Sequence, residues 1–373
     1  MNNATIHEVI LILQFLLKKD VCSLICKLWH KATSIYCDFA SRLLGESVRT
    51  HKKEIEYIVL STRGTFADIY ICTIQHYQYT VKAMDKTRQA SLQNLRRLRR
   101  EIKTHSTCLH PNIIQLYSVY QSDTTLYMLE EHARKGDLFD LVNTSPQMRL
   151  SSMKINFCCA QLVLSLRYLH LHNIIHRDLR LENVVILDNG YLKLIDFGNS
   201  KFLLGNQKTY TLCGVPESCA PEMLCTKGHS CPVDWWALGV LLFEITVGYS
   251  PFYSDNEMDI FARILKRGNN TFFEEIHSVL SIEKEVKWMI KPLLLVDPNV
   301  RALALKADSF AKLQHPYLAS LDWSKMITQK YKSPFMNIDI KKKQEYLLKH
   351  FPEGSKLSNR MAQIAWKRYC GCF

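Results

Sequence analysis

The sequence predicts an α+β chain whose N-terminal part is an antiparallel sheet and whose larger C-terminal part is mainly helical. Three patterns carry this reading. Residues 55–85 alternate β-branched and aromatic types, as in Tyr57-Ile58-Val59, Ile69-Tyr70-Ile71 and Tyr79-Thr80-Val81, the period of half-buried strands. From Leu138 onward apolar residues return at helical spacing, over 152–172, 234–248, 257–267 and 282–295. Between the two regions Glu131–Asp137 is a short polar stretch suited to a hinge.

Taken in order, residues 1–50 read as a helical extension, with Val9, Ile12, Leu13, Leu16 and Leu17 on one helical period. Strands fill 55–85. Leu92–Thr107 reads as a basic helix, and Asn112–Glu131 holds two more strands. The expected division is an extension at 1–50, a folded domain at 55–318 and a basic tail at 319–373. No internal repeat is present.

At 373 residues the chain can hold one large domain with extensions, or two domains. Its thirteen cysteines are odd in number and follow no disulfide or zinc spacing. With no signal peptide they read as reduced thiols of a cytoplasmic or nuclear protein. The apolar run Val9–Leu17 is too short to span a bilayer, so membrane contact is not expected. The net charge of +13 is concentrated at Arg96, Arg97, Arg99 and Arg100 and in a tail with Lys341–Lys343, Lys349, Lys356, Lys367 and Arg368. Solvated helix faces account for such runs, and weak attraction to acidic membranes or nucleic acid is the other reading. No nucleic-acid motif accompanies them, so nucleic acid is not an expected partner.

The chemistry lies between Ile175 and Glu222. Ile175-His176-Arg177-Asp178-Leu179-Arg180-Leu181-Glu182-Asn183 is followed by Asp196-Phe197-Gly198, then by Gly214-Val215-Pro216-Glu217-Ser218-Cys219-Ala220-Pro221-Glu222. A carboxylate at Asp178 can orient an attacking hydroxyl. An amide five residues on, Asn183, and a second carboxylate 18 beyond it, Asp196, can hold magnesium. Asp-Phe-Gly alone is weak, but three blocks in this order and spacing leave little room for coincidence.

These blocks resemble the eukaryotic protein kinases. Thr211-Leu212-Cys213-Gly214-Val215-Pro216-Glu217 is similar to the AGC group, as in the cyclic-nucleotide-dependent kinases. Asp234–Val240, Gly248–Phe252, and His315-Pro316-Tyr317 with Asp322-Trp323 strengthen that resemblance, which covers about residues 55–335. It implies a bilobal protein-kinase fold and transfer of phosphate from ATP, with Mg2+, to serine or threonine. Lys82 stands where the phosphate-binding lysine belongs, and Glu101, 19 residues later, is its ion-pair partner. Asp178 would be catalytic, with Arg180 replacing the usual lysine. Gly64, Ile69, Thr80, Lys82, Glu131, Ala133, Asp137 and Val185 would contact nucleotide, and Asn183 and Asp196 the metal. Thr211 would be a regulatory phosphosite read by Arg177, Lys201 and Arg97, which implies an upstream activating kinase. Asp137, Glu182 and Glu244 stand where basic residues of protein substrates are read. Glu222 and Arg301 would form a buried structural bridge. The chain is expected to be a monomer.

Six positions depart from the pattern. The glycine-rich loop keeps only Gly64, with Thr62 and Ala67 in place of its other glycines. Leu181 replaces a proline, and Arg180 has a lysine's charge in a different shape. Val215 replaces a threonine that touches the catalytic aspartate. Glu130 falls where an apolar residue is usual; either it pairs with Lys82, in competition with Glu101, or a one-residue shift turns it to solvent. The departures motivate a second reading, a weakly active or inactive scaffold. A third is a ubiquitin-ligase adaptor: Glu8–Trp29 loosely resembles an F-box, the module that docks Skp-family adaptors, without its usual proline. An amphipathic extension packed on the core is the plainer account of that segment. Cys370-Gly371-Cys372-Phe373 has the form of a prenylation box, with middle residues that are not aliphatic.

Overall fold

The computed structural model describes residues 55–63, 67–74, 76–87, 92–121, 124–145, 148–225, 227–266, 283–303, 318, 320–338 and 340. The F-box-like segment, Gly64, His315–Tyr317 and the tail from Lys341 with its terminal cysteines lie outside them. The chain divides into two compact units. The first holds the strand region to Leu95 together with Gln115–His132; the second holds Arg96–Ile114 and the chain from Ala133.

The first unit is a five-stranded antiparallel sheet, β1 (Ile55–Arg63), β2 (Asp68–Ile74), β3 (Tyr77–Asp85), β4 (Leu116–Gln121) and β5 (Thr125–Glu131), in the order β1-β2-β3-β5-β4. Opposed residues of an antiparallel ladder share a face. One face buries Tyr70, Cys72, Tyr79, Val81, Ala83 and Tyr127. The other carries the row Ile69–Lys82–Met128 and, two residues along, Ile71–Thr80–Glu130–Leu116. Glu130 is therefore in register with Thr80, on the face of Lys82 and half-buried.

In the second unit, helix α1 (Leu92–Thr107) contributes from Arg96. Its inward face buries Leu98, Glu101, Thr104 and His105, while Arg96 and Arg99 are exposed. The rest is α2 (Leu138–Asn143), α3 (Ser152–Leu171), the short strands β6 (Ile174–Ile175), β7 (Val184–Ile186), β8 (Leu192–Leu194) and β9 (Lys201–Phe202), then α4 (Pro221–Leu224), α5 (Pro232–Val247), α6 (Glu257–Lys266), α7 (Lys284–Leu293), α8 (Pro298–Leu303) and α9 (Trp323–Ile327). The helical windows read from the sequence end within two residues of these bounds. Pro232 opens α5 at a position where the missing N–H costs nothing. That helix is apolar on nearly every side and buried along its length, which makes it the centre of the core. Trp236 stacks on Phe252 with centroids 5.6 Å apart, and the Arg301 guanidinium lies 5.4 Å over Trp236. Arg301 also donates to the Pro232 carbonyl at 2.9 Å and pairs with Glu222, the structural bridge the sequence suggested.

A late segment, Tyr331–Ile338, is pinned to the β7–β8 turn. Tyr191 donates its hydroxyl to the Tyr331 carbonyl and accepts the Tyr331 N–H, both at 3.0 Å. Ser333 Oγ donates to the Gly190 carbonyl at 2.6 Å, and Lys135 Nζ reaches the Phe335 carbonyl at 3.1 Å. Gly190 has φ +77°, and a Cβ there would stand 2.5 Å from Ser333 Oγ and 2.8 Å from the Phe335 carbonyl carbon. Among the described residues no helix is long and apolar enough to cross a membrane, and the described cysteines are free thiols.

Candidate active site

The catalytic loop is built around a buried aspartate. Asp234, in the first turn of α5, is fully buried and accepts the backbone N–H groups of His176 (2.9 Å) and Arg177 (2.8 Å) and the Nε2–H of His170 (2.7 Å). Burial alone would raise its pKa; His170 and these donors more than offset that and hold the carboxyl below its ordinary range. Arg177 is bent to φ +65° between these contacts. His176 donates through Nε2 to the Ile195 carbonyl (3.1 Å) and accepts the Asp178 N–H (3.3 Å). The loop is thereby tied to the residue before Asp196.

Asn183 sits on a 3-10 turn, Leu181–Asn183, that follows Asp178. Its Nδ2 donates to the Asp178 carbonyl at 2.8 Å, and its own carbonyl accepts the Ile195 N–H at 2.9 Å. Asp196 is left-handed, φ +61°, and its Oδ1 accepts the Gly198 N–H at 3.1 Å. Phe197 is buried between His105, stacked at 4.9 Å, and His176, edge-on at 5.3 Å. Burial, then the Asp196 carboxylate, pushes the Asp178 pKa up. With its Nδ2 committed, Asn183 keeps an amide oxygen, and Asp196 adds carboxylate oxygens. This hard-oxygen set beside a second acid suits magnesium.

Two departures from the family pattern now have a geometry. Arg180 makes a two-pronged ion pair with Glu182, Nε to Oε2 at 3.0 Å and NH2 to Oε1 at 2.8 Å. No pattern in the chain marks these two residues as partners. Gly214 has φ +84°, and a Cβ there would stand 2.8 Å from the Arg177 carbonyl and 3.5 Å from Asp178 Oδ1. Glycine lets the activation segment, Asp196 to Glu222, pass this close to the catalytic loop that carries Asp178. Val215 follows it without a hydroxyl to offer.

Around the expected phosphosite, Arg177 NH1 donates to Thr211 Oγ1 at 3.1 Å. Lys201 Nζ donates to Thr209 Oγ1 at 2.9 Å, and the two threonine hydroxyls lie 3.1 Å apart. Arg97 Nε is directed to the Gly198 carbonyl at 3.1 Å. Thr211 is exposed, while Thr209 is buried beside His229.

Of the residues expected from the sequence to contact nucleotide, Ile69, Thr80 and Lys82 share one face of the first unit's sheet. Thr80 Oγ1 shares a hydrogen bond with His132 Nδ1 at 3.0 Å, a partner the sequence did not suggest. Glu131 instead turns Oε2 to the Gln115 N–H at 3.2 Å. In the second unit Asp137 and Val185 form an isolated bridge, a few residues after Ala133. Glu101 is buried in α1, and Glu244 is buried in α5.

The family model for the protein kinase domain matches residues 62–318. The chain belongs to the protein kinase family. It is similar to the cAMP-dependent protein kinase catalytic subunit of Dictyostelium discoideum, 35% identical over 78% of this chain and 43% of that protein. It is likewise similar to the human cAMP-dependent protein kinase catalytic subunit PRKX, 34% identical over 73% of this chain and 74% of that protein, and to cAMP-dependent protein kinase type 3 of Saccharomyces cerevisiae, 30% identical over 75% and 69%. The kinase chain thus spans under half of the first relative and about three quarters of the second. By family it is a serine/threonine protein kinase of the AGC group, with the bilobal kinase fold.

Asp137 gives this kinase a pH dependence of its own. Its carboxylate caps α2, accepting the Asp140 N–H at 2.8 Å. Burial first, then the Asp140 carboxylate, pushes its pKa up to about 7. An unfolded aspartate titrates near 3.9. The folded state therefore holds the proton more tightly, and the stability this gives is full below about pH 4 and is lost as pH rises through about 7. Asn caps a helix as well as Asp does but cannot ionise. Asp137→Asn is expected to melt close to wild type at pH 4.5 and progressively above it toward pH 8, read by thermal denaturation without nucleotide. A difference that stays constant across that range would remove Asp137 as its source.

Proposed function

We propose that the chain transfers the γ-phosphoryl group of ATP to serine or threonine hydroxyls of proteins. The observation that carries the reading is the assembly of Asp178, Asn183 and Asp196 in one unit by the hydrogen bonds just described. Asp178 accepts the proton of the substrate hydroxyl as its oxygen bonds to the γ-phosphorus. The bond from that phosphorus to the β–γ bridging oxygen breaks, and ADP leaves. Asn183 and Asp196 would hold Mg2+, which supplies charge neutralisation at the phosphates. Lys82, with Glu101 as its partner, would hold the α- and β-phosphates, and Ile69, Thr80, Ala133 and Val185 the adenine. Retention of all five polar residues supports turnover over a scaffold role. The free thiols suit a reducing cytoplasmic or nuclear setting.

Asp178→Asn is expected to abolish transfer from radiolabelled ATP to protein, by a factor of about 10² or more, with nucleotide affinity little changed. The carboxylate meets the hydroxyl and not the nucleotide. Asp196→Ala should lose turnover as well. Residual transfer equal to wild type in Asp178→Asn would overturn the assignment.

Thr211 is the regulatory phosphosite in this reading, supplied by an upstream kinase. Arg177 already donates to its hydroxyl, and Lys201 lies one threonine away. A phosphate there would offer three acceptor oxygens to cations that otherwise repel one another. Phosphorylated wild type is expected to exceed Thr211→Ala in kcat by about tenfold or more. Equal rates would mark Thr211 as an ordinary loop residue.

Substrates should carry arginine or lysine N-terminal to the phosphoacceptor, with Glu182 reading one of them. That carboxylate must exchange Arg180 for the substrate cation, so the preference should be about tenfold and no more. Turnover of paired peptides, arginine against alanine upstream of the serine, measures it; Glu182→Gln should erase the difference. A preference for acidic peptides would contradict the proposal.

A further inference from the structure

Asn199 follows Asp196-Phe197-Gly198, and no motif gives it a task. Its side-chain amide donates to Asp178 Oδ2 at 3.0 Å, and its backbone carbonyl accepts Arg177 Nε at 2.8 Å. Arg177 in turn donates through NH1 to Thr211 Oγ1 at 3.1 Å. One half-buried residue thus touches both the carboxylate that meets the substrate hydroxyl and the arginine that meets the activation segment.

The catalytic carboxylate needs such a contact. The torsion that turns an aspartate carboxylate is broad and weakly restrained. Among the described residues the other hydrogen bonds at Asp178 engage its backbone: its N–H donates to His176 and its carbonyl accepts from Asn183. The threonine that would touch the carboxylate from the activation segment is Val215 here, which has no donor. The hydroxyl lost at that position, after Gly214, and the Asn199 amide, after Gly198, are alternative ways to fix the same oxygen pair.

We infer that Asn199 is a positioning residue: its amide aims the Asp178 carboxylate at the substrate hydroxyl and makes that aim depend on the Arg177–Thr211 contact. The inference rests on the phosphotransfer reading above. A shared residue between two sites is a physical link only if perturbing one changes the other, so the test is a coupling measurement.

Asn199→Leu removes the donor, keeps the branching at Cγ and keeps the backbone carbonyl that Arg177 uses. In the full chain it is expected to lower kcat about tenfold while KM for ATP stays within twofold. Asn199→Ala, which asks less of the packing, should do the same. Combined with Thr211→Ala, either change should cost less than the product of the single effects. A kcat within twofold of wild type, a change confined to KM, or fully multiplicative losses would each overturn the inference. A second readout needs no turnover. The Asn199 side-chain amide resonance, assigned by its disappearance in Asn199→Leu, should move in Asp178→Asn. An unmoved resonance would show that the contact is absent. Wild type no faster than Asp178→Asn, with the resonance moved, would instead sink the phosphotransfer reading itself, and the positioning role with it.

Discussion

A carboxylate sealed from water holds the catalytic loop together. Asp234 has no solvent to turn to, so its charge is tolerable only while the His176 and Arg177 amides and the His170 ring all point at it. That demand bends Arg177 into a left-handed conformation, which costs roughly 1–3 kcal/mol for a side chain of its kind. The bend turns the Arg177 side chain toward Thr211 and Asn199 and leaves Asp178 next in line. The burial of Asp234 is in turn a consequence of α5, whose apolar flanks pack on every side. The chemistry therefore hangs on a helix that takes no part in it.

The architecture was legible because it rests on local pattern. Period-2 alternation marked the strands and helical periodicity the long helices, and the spacing of Asp178, Asn183 and Asp196 is a property of one continuous stretch. What remained hidden depends on the third dimension. Nothing in the string says that Arg180 will fold back on Glu182, two residues away, or that Thr80 will meet His132, 52 residues away. Asn199 was invisible because an asparagine after a glycine looks like any loop residue. Asp234 left a faint trace, a lone acid within Pro232–Val240, an otherwise apolar run. Glu130 shows the limit of reasoning by register: it stands on the face of Lys82, yet its consequence depends on which neighbours share that face.

Charge is distributed unevenly about the loop. Acids meet acids at Asp178 and Asp196, and at Asp137 and Asp140; cations meet cations at Arg177 and Lys201. Burial and Arg177 depress the ring of His229 to a pKa of about 4, so it brings no further positive charge to Thr209. Such like-charge clusters are destabilising in an empty protein and become favourable when a ligand of opposite sign arrives. In the proposed function a magnesium ion beside Asp196 and a phosphate on Thr211 would be ligands of the two required signs.

The clasp between Gly190 and Tyr331–Ile338 bears on how this chain can vary over generations. The turn has no room for a side chain while Ser333 and Phe335 lie across it, and without the bare glycine and Tyr191 the crossing segment loses its three hydrogen bonds to the turn. Neither partner can drift alone. A lineage that loses the crossing segment leaves Gly190 limited only by its φ of +77°, which asparagine and aspartate tolerate, and one that replaces Gly190 releases the segment. Over 140 residues apart in the chain, the two positions constrain each other through a single hydrogen-bonded contact.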